Sequence, residues 1–191
     1  MNPLFGRTRY VIRKKVFSLL GTKYHIYDDN RQLILYSEMK AFKLKEDIRL
    51  YNDETMAREL LHIQARSLLD FSATYDVTDS ETGEPVGALR RRGLKSILKD
   101  EWIILAPGDR EIGRIKEDNP FLAVIRRFIS IIPQRYHVEM NGQKIHTFQQ
   151  NFSPLVTKVN VDFSGFGQQM LDPRLGIAAG ILLCSIEGKQ E

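Results

Sequence analysis

Two groups of basic residues are the best-suited chemistry in this 191-residue chain. Arg90, Arg91 and Arg92 stand with Lys95 and Lys99 in a window of ten residues. Arg126, Arg127 and Arg135 form a second group. Guanidinium forks grip phosphate bidentately. A basic residue near an anionic bilayer is worth about 1 kcal/mol, so five together can hold a protein reversibly at a membrane surface. Alternation along a strand sends Arg90 and Arg92 to one face and Arg91 to the other. A solvated face also carries such runs. The candidate site for an anion or lipid headgroup is therefore Arg90, Arg91, Arg92, Lys95, Arg126 and Arg127, and it depends on where the fold puts them.

Signals for catalysis are thin. The chain has no G-x-S-x-G, H-E-x-x-H, Walker loop or C-x-x-C. Gly165-Phe166-Gly167 lacks the strand–turn–helix unit and third glycine of a dinucleotide fingerprint. His25, His62, His137 and His146 are scattered along the chain. Across the turn at Asn141-Gly142, residue 137 is expected to pair with 146, which gives a surface histidine pair. No further ligand stands nearby to complete a metal site. The reading is a non-enzymatic protein with no cofactor and no metal.

The elements that must carry these residues are mostly strands. Lys23–Asp28 and Gln32–Glu38 flank the turn at 28–31. Phe42–Tyr51 and Glu59–Arg66 alternate apolar with polar residues. Ser72–Asp79 and Pro85–Arg91 flank Ser80-Glu81-Thr82-Gly83, and Glu101–Ala106 and Glu111–Lys116 flank Pro107-Gly108-Asp109. Arg135–Met140 and Gln143–Phe148 flank Asn141-Gly142, the preferred type I′ pair. Pro154–Phe163 is a further strand. In Tyr10–Leu20 the run Arg13-Lys14-Lys15 breaks the alternation, which suggests a bulge or a short strand–turn–strand. Leu94–Leu98 and Asn119–Ile132 read as short helices, the second with Asn119 as cap and Pro120 at the first helical position.

The strongest helix signal is Asp172–Glu187. Asp172 is a good N-cap, and Pro173 follows where its missing N–H costs nothing. From Leu175 to Ile186 there is no charge and no polar face apart from Ser185. A helix apolar all round is enclosed by protein or by membrane, and this run is short of the roughly 20 residues of a span. Gly176, Ala178, Ala179 and Gly180 allow close approach on several sides. A sheet wide enough to hold a helix needs more than eight strands. The expected fold is mainly β: a closed antiparallel barrel of about twelve strands around a C-terminal hydrophobic helix, with one or two short extra helices.

Composition agrees with one domain over 1–191. Hydrophobic residues make up 42% and charged residues 27%, which excludes a disordered chain. The net charge of +4 permits an anionic partner without demanding one. The lone Cys184 cannot form an intramolecular disulfide, and as a buried thiol it behaves as a small hydrophobe. The first fifteen residues show neither an apolar h-region nor a cleavage site. With no span and no signal, the cytoplasm is the expected location.

Three tracts carry a family resemblance: DPRLGIAAGILLCSIEGKQ, IGRIKEDNPFLAVIRRF and YHVEMNGQKIHTFQQNFSP. They resemble the LURP-one-related group, which belongs with the phospholipid scramblases and the tubby C-terminal domain. The resemblance runs from about Tyr10 to Gly188. It implies a twelve-stranded barrel around a central hydrophobic helix, and affinity for membrane phospholipids in some members. Scramblases carry an acidic calcium-associated segment before the last helix. The matching VDFSGFGQQMLD offers only Asp162 and Asp172, too few for the six to eight oxygens calcium takes. The scramblase cysteine-rich and proline-rich tracts are missing here.

The functional expectation is a phospholipid- or phosphoinositide-binding barrel acting peripherally at a membrane. The alternative is an interaction scaffold with no lipid or catalytic role. Nucleic acid fits less well, because no aromatic stacking platform accompanies the arginines.

Overall fold

The computed structural model describes residues 1–17, 21–39, 47–67, 73–92, 101–118, 134–151, 156–165 and 171–187. Twelve strands form the wall: β1 (Arg9–Phe17), β2 (Gly21–Tyr27), β3 (Leu33–Met39), β4 (Asp47–Tyr51), β5 (Glu59–Ala65) and β6 (Thr74–Asp79), then β7 (Pro85–Arg91), β8 (Glu101–Leu105), β9 (Glu111–Glu117), β10 (Gln134–Met140), β11 (Gln143–Asn151) and β12 (Val156–Asp162). Each pairs antiparallel with its neighbours in sequence, and β1 pairs with β12 to close the barrel. Closure leaves no edge to aggregate. The expected architecture is therefore the observed one.

The core is the lumen. Inward positions are two apart along each strand: Ile48 and Leu50 on β4, Leu61 and Ile63 on β5, Val159 and Val161 on β12, all at most 1% exposed. Through the middle runs α1 (Pro173–Leu182), followed by a wider π-type turn over Leu183–Glu187. Asp172 caps it as expected, its Oδ1 accepting from the backbone N–H of Arg174 at 2.9 Å. The small residues set how close the wall comes. A Cβ on Gly176 would lie 2.3 Å from Cζ of Phe163, and one on Gly180 would lie 2.6 Å from Cδ1 of Ile12. A short 3-10 turn, Pro3–Phe5, adds Phe5 to the same core.

Two expectations are corrected. β1 is one continuous strand, with neither a turn nor a bulge at Arg13-Lys14-Lys15. The alternation only looked broken because Lys14 follows Tyr10 and Ile12 into the lumen and is 4% exposed. His137 and His146 do not form a surface pair. A bulge between Val138 and Glu139 shifts the register, so His137 faces Thr147 and Val138 faces His146. His137 accordingly bonds Asp118 through Nδ1 at 2.5 Å, while His146 is buried against the ring of Phe163. The turn itself has the expected geometry, with positive φ at Asn141 and Gly142. The helices expected at Leu94–Leu98 and Asn119–Ile132 lie outside the described residues.

Candidate functional site

The barrel has two unlike ends, set by the polarity of α1. At the end where α1 starts, Arg174 is buried in a carboxylate nest. Its guanidinium donates to Asp79 Oδ2 at 2.7 Å, Glu84 Oε2 at 3.1 Å and Asp172 Oδ2 at 2.7 Å. The side chains of Arg174 and Asp79 are 6% and 2% exposed. Burial works against the charge on Asp79, but Arg174 and the backbone N–H groups of Thr82 and Glu81 outweigh it and hold the carboxyl below its usual range. The tight turns at this end, 28–32, 52–58, 80–84, 106–110 and 141–142, join successive strands.

At the rim where α1 stops, the orphan carbonyls of the helix are met from the wall. Lys14 Nζ donates to the carbonyl of Cys184 at 2.9 Å. Ser185 Oγ donates to the carbonyl of Ile181 at 2.7 Å, so Tyr24 must supply the proton in its 2.6 Å bond with Ser185. A cation at a helix C-terminus is favoured by the helix dipole. The lumen is polar here: Ser37, Gln134 and Gln150 point inward beside Lys14 and Tyr24 and are buried. The other six connections between strands begin and end at this rim.

The arginine group at 90–92 lies at the same rim, at the end of β7. Arg91 stands opposite Trp102, on the lumen side, and Arg90 opposite Ile103, on the outside, as the alternation required. The outer arginines do not stand alone. Arg92 pairs with Glu101 at 2.8 Å, and Arg114 bonds both Glu101 at 3.2 Å and Glu111 at 2.6 Å. Arg66 bridges Asp76 at 2.7 Å and Asp109 at 2.6 Å. The hydrogen bond from Arg66, then the charges of Arg66 and Arg90, outweigh desolvation and hold Asp109 below the usual carboxylate range. On this wall Arg66, Arg90, Arg92 and Arg114 meet Asp76, Glu101, Asp109 and Glu111. Lys95, Arg126 and Arg127 lie outside the described residues, as does their relation to Arg90–Arg92.

The opposite wall differs, and sequence reading missed it. Outward positions on β12, β1 and β2 bring together Lys158, Arg13, Lys15 and Lys23. Arg13 is the register partner of both Lys158 and His25, and Lys15 is that of Lys23. The sequence signal was present: a twelve-stranded meander that closes must set its first strand beside its last.

The LURP-one-related family model matches residues 33–165, well over half of the chain. The chain belongs to the LURP-one-related family. In this LURP-one-related barrel the match spans β3 to β12, while β1, β2 and α1 lie outside it. No curated protein matches the chain. Among the described residues no helix is long and apolar enough to cross a membrane.

Proposed function

We propose that this LURP-one-related barrel is a non-catalytic module that binds anionic phospholipid headgroups with the rim where α1 ends. The supporting observation is the segregation of charge and greasiness between the two sets of strand connections. The turns at the α1-start end carry Asp28, Asp29, Asp53, Glu54, Glu81, Glu84 and Asp109 against Arg31, Arg58 and Arg110. By sequence, the connections at the rim carry Lys40, Lys43, Lys45, Arg66, Arg92, Lys95, Lys99, Arg126 and Arg127 against Glu46, Asp70, Asp100 and Asp118. The same connections hold the tracts AFKLK, LLDF, GLKSIL and FLAVIRRFISII, whereas Met56 is the one large aliphatic side chain in the turns opposite. Basic charge mixed with apolar residues is the composition that binds at a headgroup interface. The barrel wall is not itself a lipid-facing surface, because its outward positions include Arg13, Lys23, Arg49, Arg114 and Lys116.

Vesicle flotation at low salt tests this reading. The protein is expected to float with vesicles containing anionic lipid, to ignore neutral ones, and to release as salt rises. Replacing Lys95, Arg126 and Arg127 by Gln should weaken binding by more than a hundredfold, at about 1 kcal/mol per basic residue. Replacing Arg90 and Arg92 by Ala should cost less, since Asp109 and Glu101 already share those charges. No preference for anionic vesicles in the wild type would leave the scaffold reading in its place.

A further inference from the structure

We infer a second anion site, on the outer wall formed by β12, β1 and β2, built for a small ligand carrying several phosphate groups. Lys158, Arg13 and His25 lie in one register row, and Lys15 and Lys23 in the next row towards the rim. Neighbouring strands lie about 4.8 Å apart, and same-face residues on one strand about 6.7 Å apart. Four cationic stems thus rise from a patch about two strand spacings wide and one same-face step long.

The charge in this patch is not cancelled. Among the described residues Arg13, Lys15 and Lys158 have no carboxylate partner. Lys23 alone is paired, with Glu38 at 3.3 Å, and His25 bonds Glu54 at 2.7 Å. The wall around Arg90 lacks such a surplus, since carboxylates match its arginines. Like charges set side by side on a sheet repel one another, so the arrangement costs stability unless an anion joins it.

Arg13 is also held in place. Its guanidinium lies 5.7 Å from the centre of the Tyr27 ring, and its Nε–H is buried with no acceptor. A positioned guanidinium between ammonium groups suits phosphate oxygens, which accept charge-assisted bonds from both. The compact spacing suits a polyphosphate group better than a nucleic acid. A duplex contact neutralises several phosphates along a long track. A single strand needs free aromatic faces, and here Arg13 lies over Tyr27 while Lys23 and His25 lie against Tyr36.

The test uses the full chain and inorganic tripolyphosphate as probe, titrated by calorimetry at low salt. The wild type should bind saturably. Lys15→Gln with Lys158→Gln should weaken binding by more than tenfold, at about fivefold for each cation removed. Arg49→Gln with Lys116→Gln, wall cations already paired with carboxylates and outside both proposed sites, should leave it within twofold. The same pairs are then floated with neutral vesicles doped with a multiply phosphorylated lipid. A loss by the Lys15/Lys158 pair with both probe and vesicles assigns the site to a lipid-borne phosphate group, and a loss with the probe alone assigns it to a soluble one. No saturable binding of tripolyphosphate, or equal losses by the two pairs, overturns the site. Because this test uses a soluble probe and residues other than Lys95, Arg126 and Arg127, it can fail while the rim reading stands, or stand while the rim reading fails.

Discussion

The two ends of α1 solve the same problem with opposite chemistry. Each leaves unpaired backbone groups that burial would otherwise make costly. Where the helix begins, the Asp172 carboxylate takes an N–H, and Arg174 ties that carboxylate to Asp79 and Glu84 of the β6–β7 hairpin. Where it ends, Lys14 and Tyr24 reach in from β1 and β2. Asp79 also accepts from two backbone N–H groups, so the first end is a closed set of mutually satisfied charges. At the second end the polar groups line a lumen mouth, and most of the basic strand connections begin there. The difference suggests a division of labour: the end where α1 starts anchors the fold, and the rim is available for binding.

The sharpest way to break that comparison is to remove one anchor from each end. Arg174→Met leaves Asp79 ionised and buried without its guanidinium, and losing one partner of a buried pair costs about 3 kcal/mol. Lys14→Met removes a donor from the Cys184 carbonyl and should cost about 1 kcal/mol. Urea denaturation of both variants measures the two losses. If Lys14→Met costs as much as Arg174→Met, the anchoring role does not belong to the first end.

Much of this was legible in the chain. Asp172-Pro173 and the uncharged run after it announce an enclosed helix, and the turn at Asn141-Gly142 fixes the location of a hairpin. What failed depended on contacts between distant residues. Lys14 looked like a break in a pattern because its partner, the carbonyl of Cys184, lies at the other end of the chain. His146 looked exposed because nothing in the sequence marks Ile145 as an extra residue in β11, and that bulge moves His146 from opposite His137 to opposite Val138. The carboxylates that meet the arginines of β7 come from neighbouring strands and the turn after β8, and the register that brings them close is a product of the closed barrel. Lys158 and Arg13 become neighbours only when β12 closes on β1.

A smaller effect should appear with pH at the anchored end. His146 is 2% exposed, with neither ring nitrogen hydrogen-bonded, and its ring centre lies 5.0 Å from that of Phe163. Phe163 in turn fills the space beside Gly176 in the first turn of α1. Burial lowers the His146 pKa below the ordinary 6.5, with the Asp162 charge a partial offset. The folded state therefore binds fewer protons than the unfolded state once the pH falls below about 6.5. The contribution of neutral His146 is complete above that pH and is lost as the pH drops towards the folded value. His146→Phe should flatten the slope of stability against pH below 6.5. An unchanged slope would mean that another group carries it.

Cys184 offers the finest probe, because it reports on the rim without perturbing it. Its side chain is fully buried, and burial pushes the thiol pKa up to about 12 despite the nearby Lys14 cation. Only the thiolate reacts, so labelling near neutral pH requires the barrel to open. If α1 is anchored at its start and opens only with the whole barrel, wild-type labelling should follow global unfolding as urea is added. Arg174→Met should then speed labelling roughly a hundredfold without urea, since about 3 kcal/mol corresponds to two decades. Lys14→Met should accelerate labelling by no more than its own stability loss. Labelling in Lys14→Met that outruns that loss would mean the rim opens by itself. The two ends of α1 would then be separate units of stability.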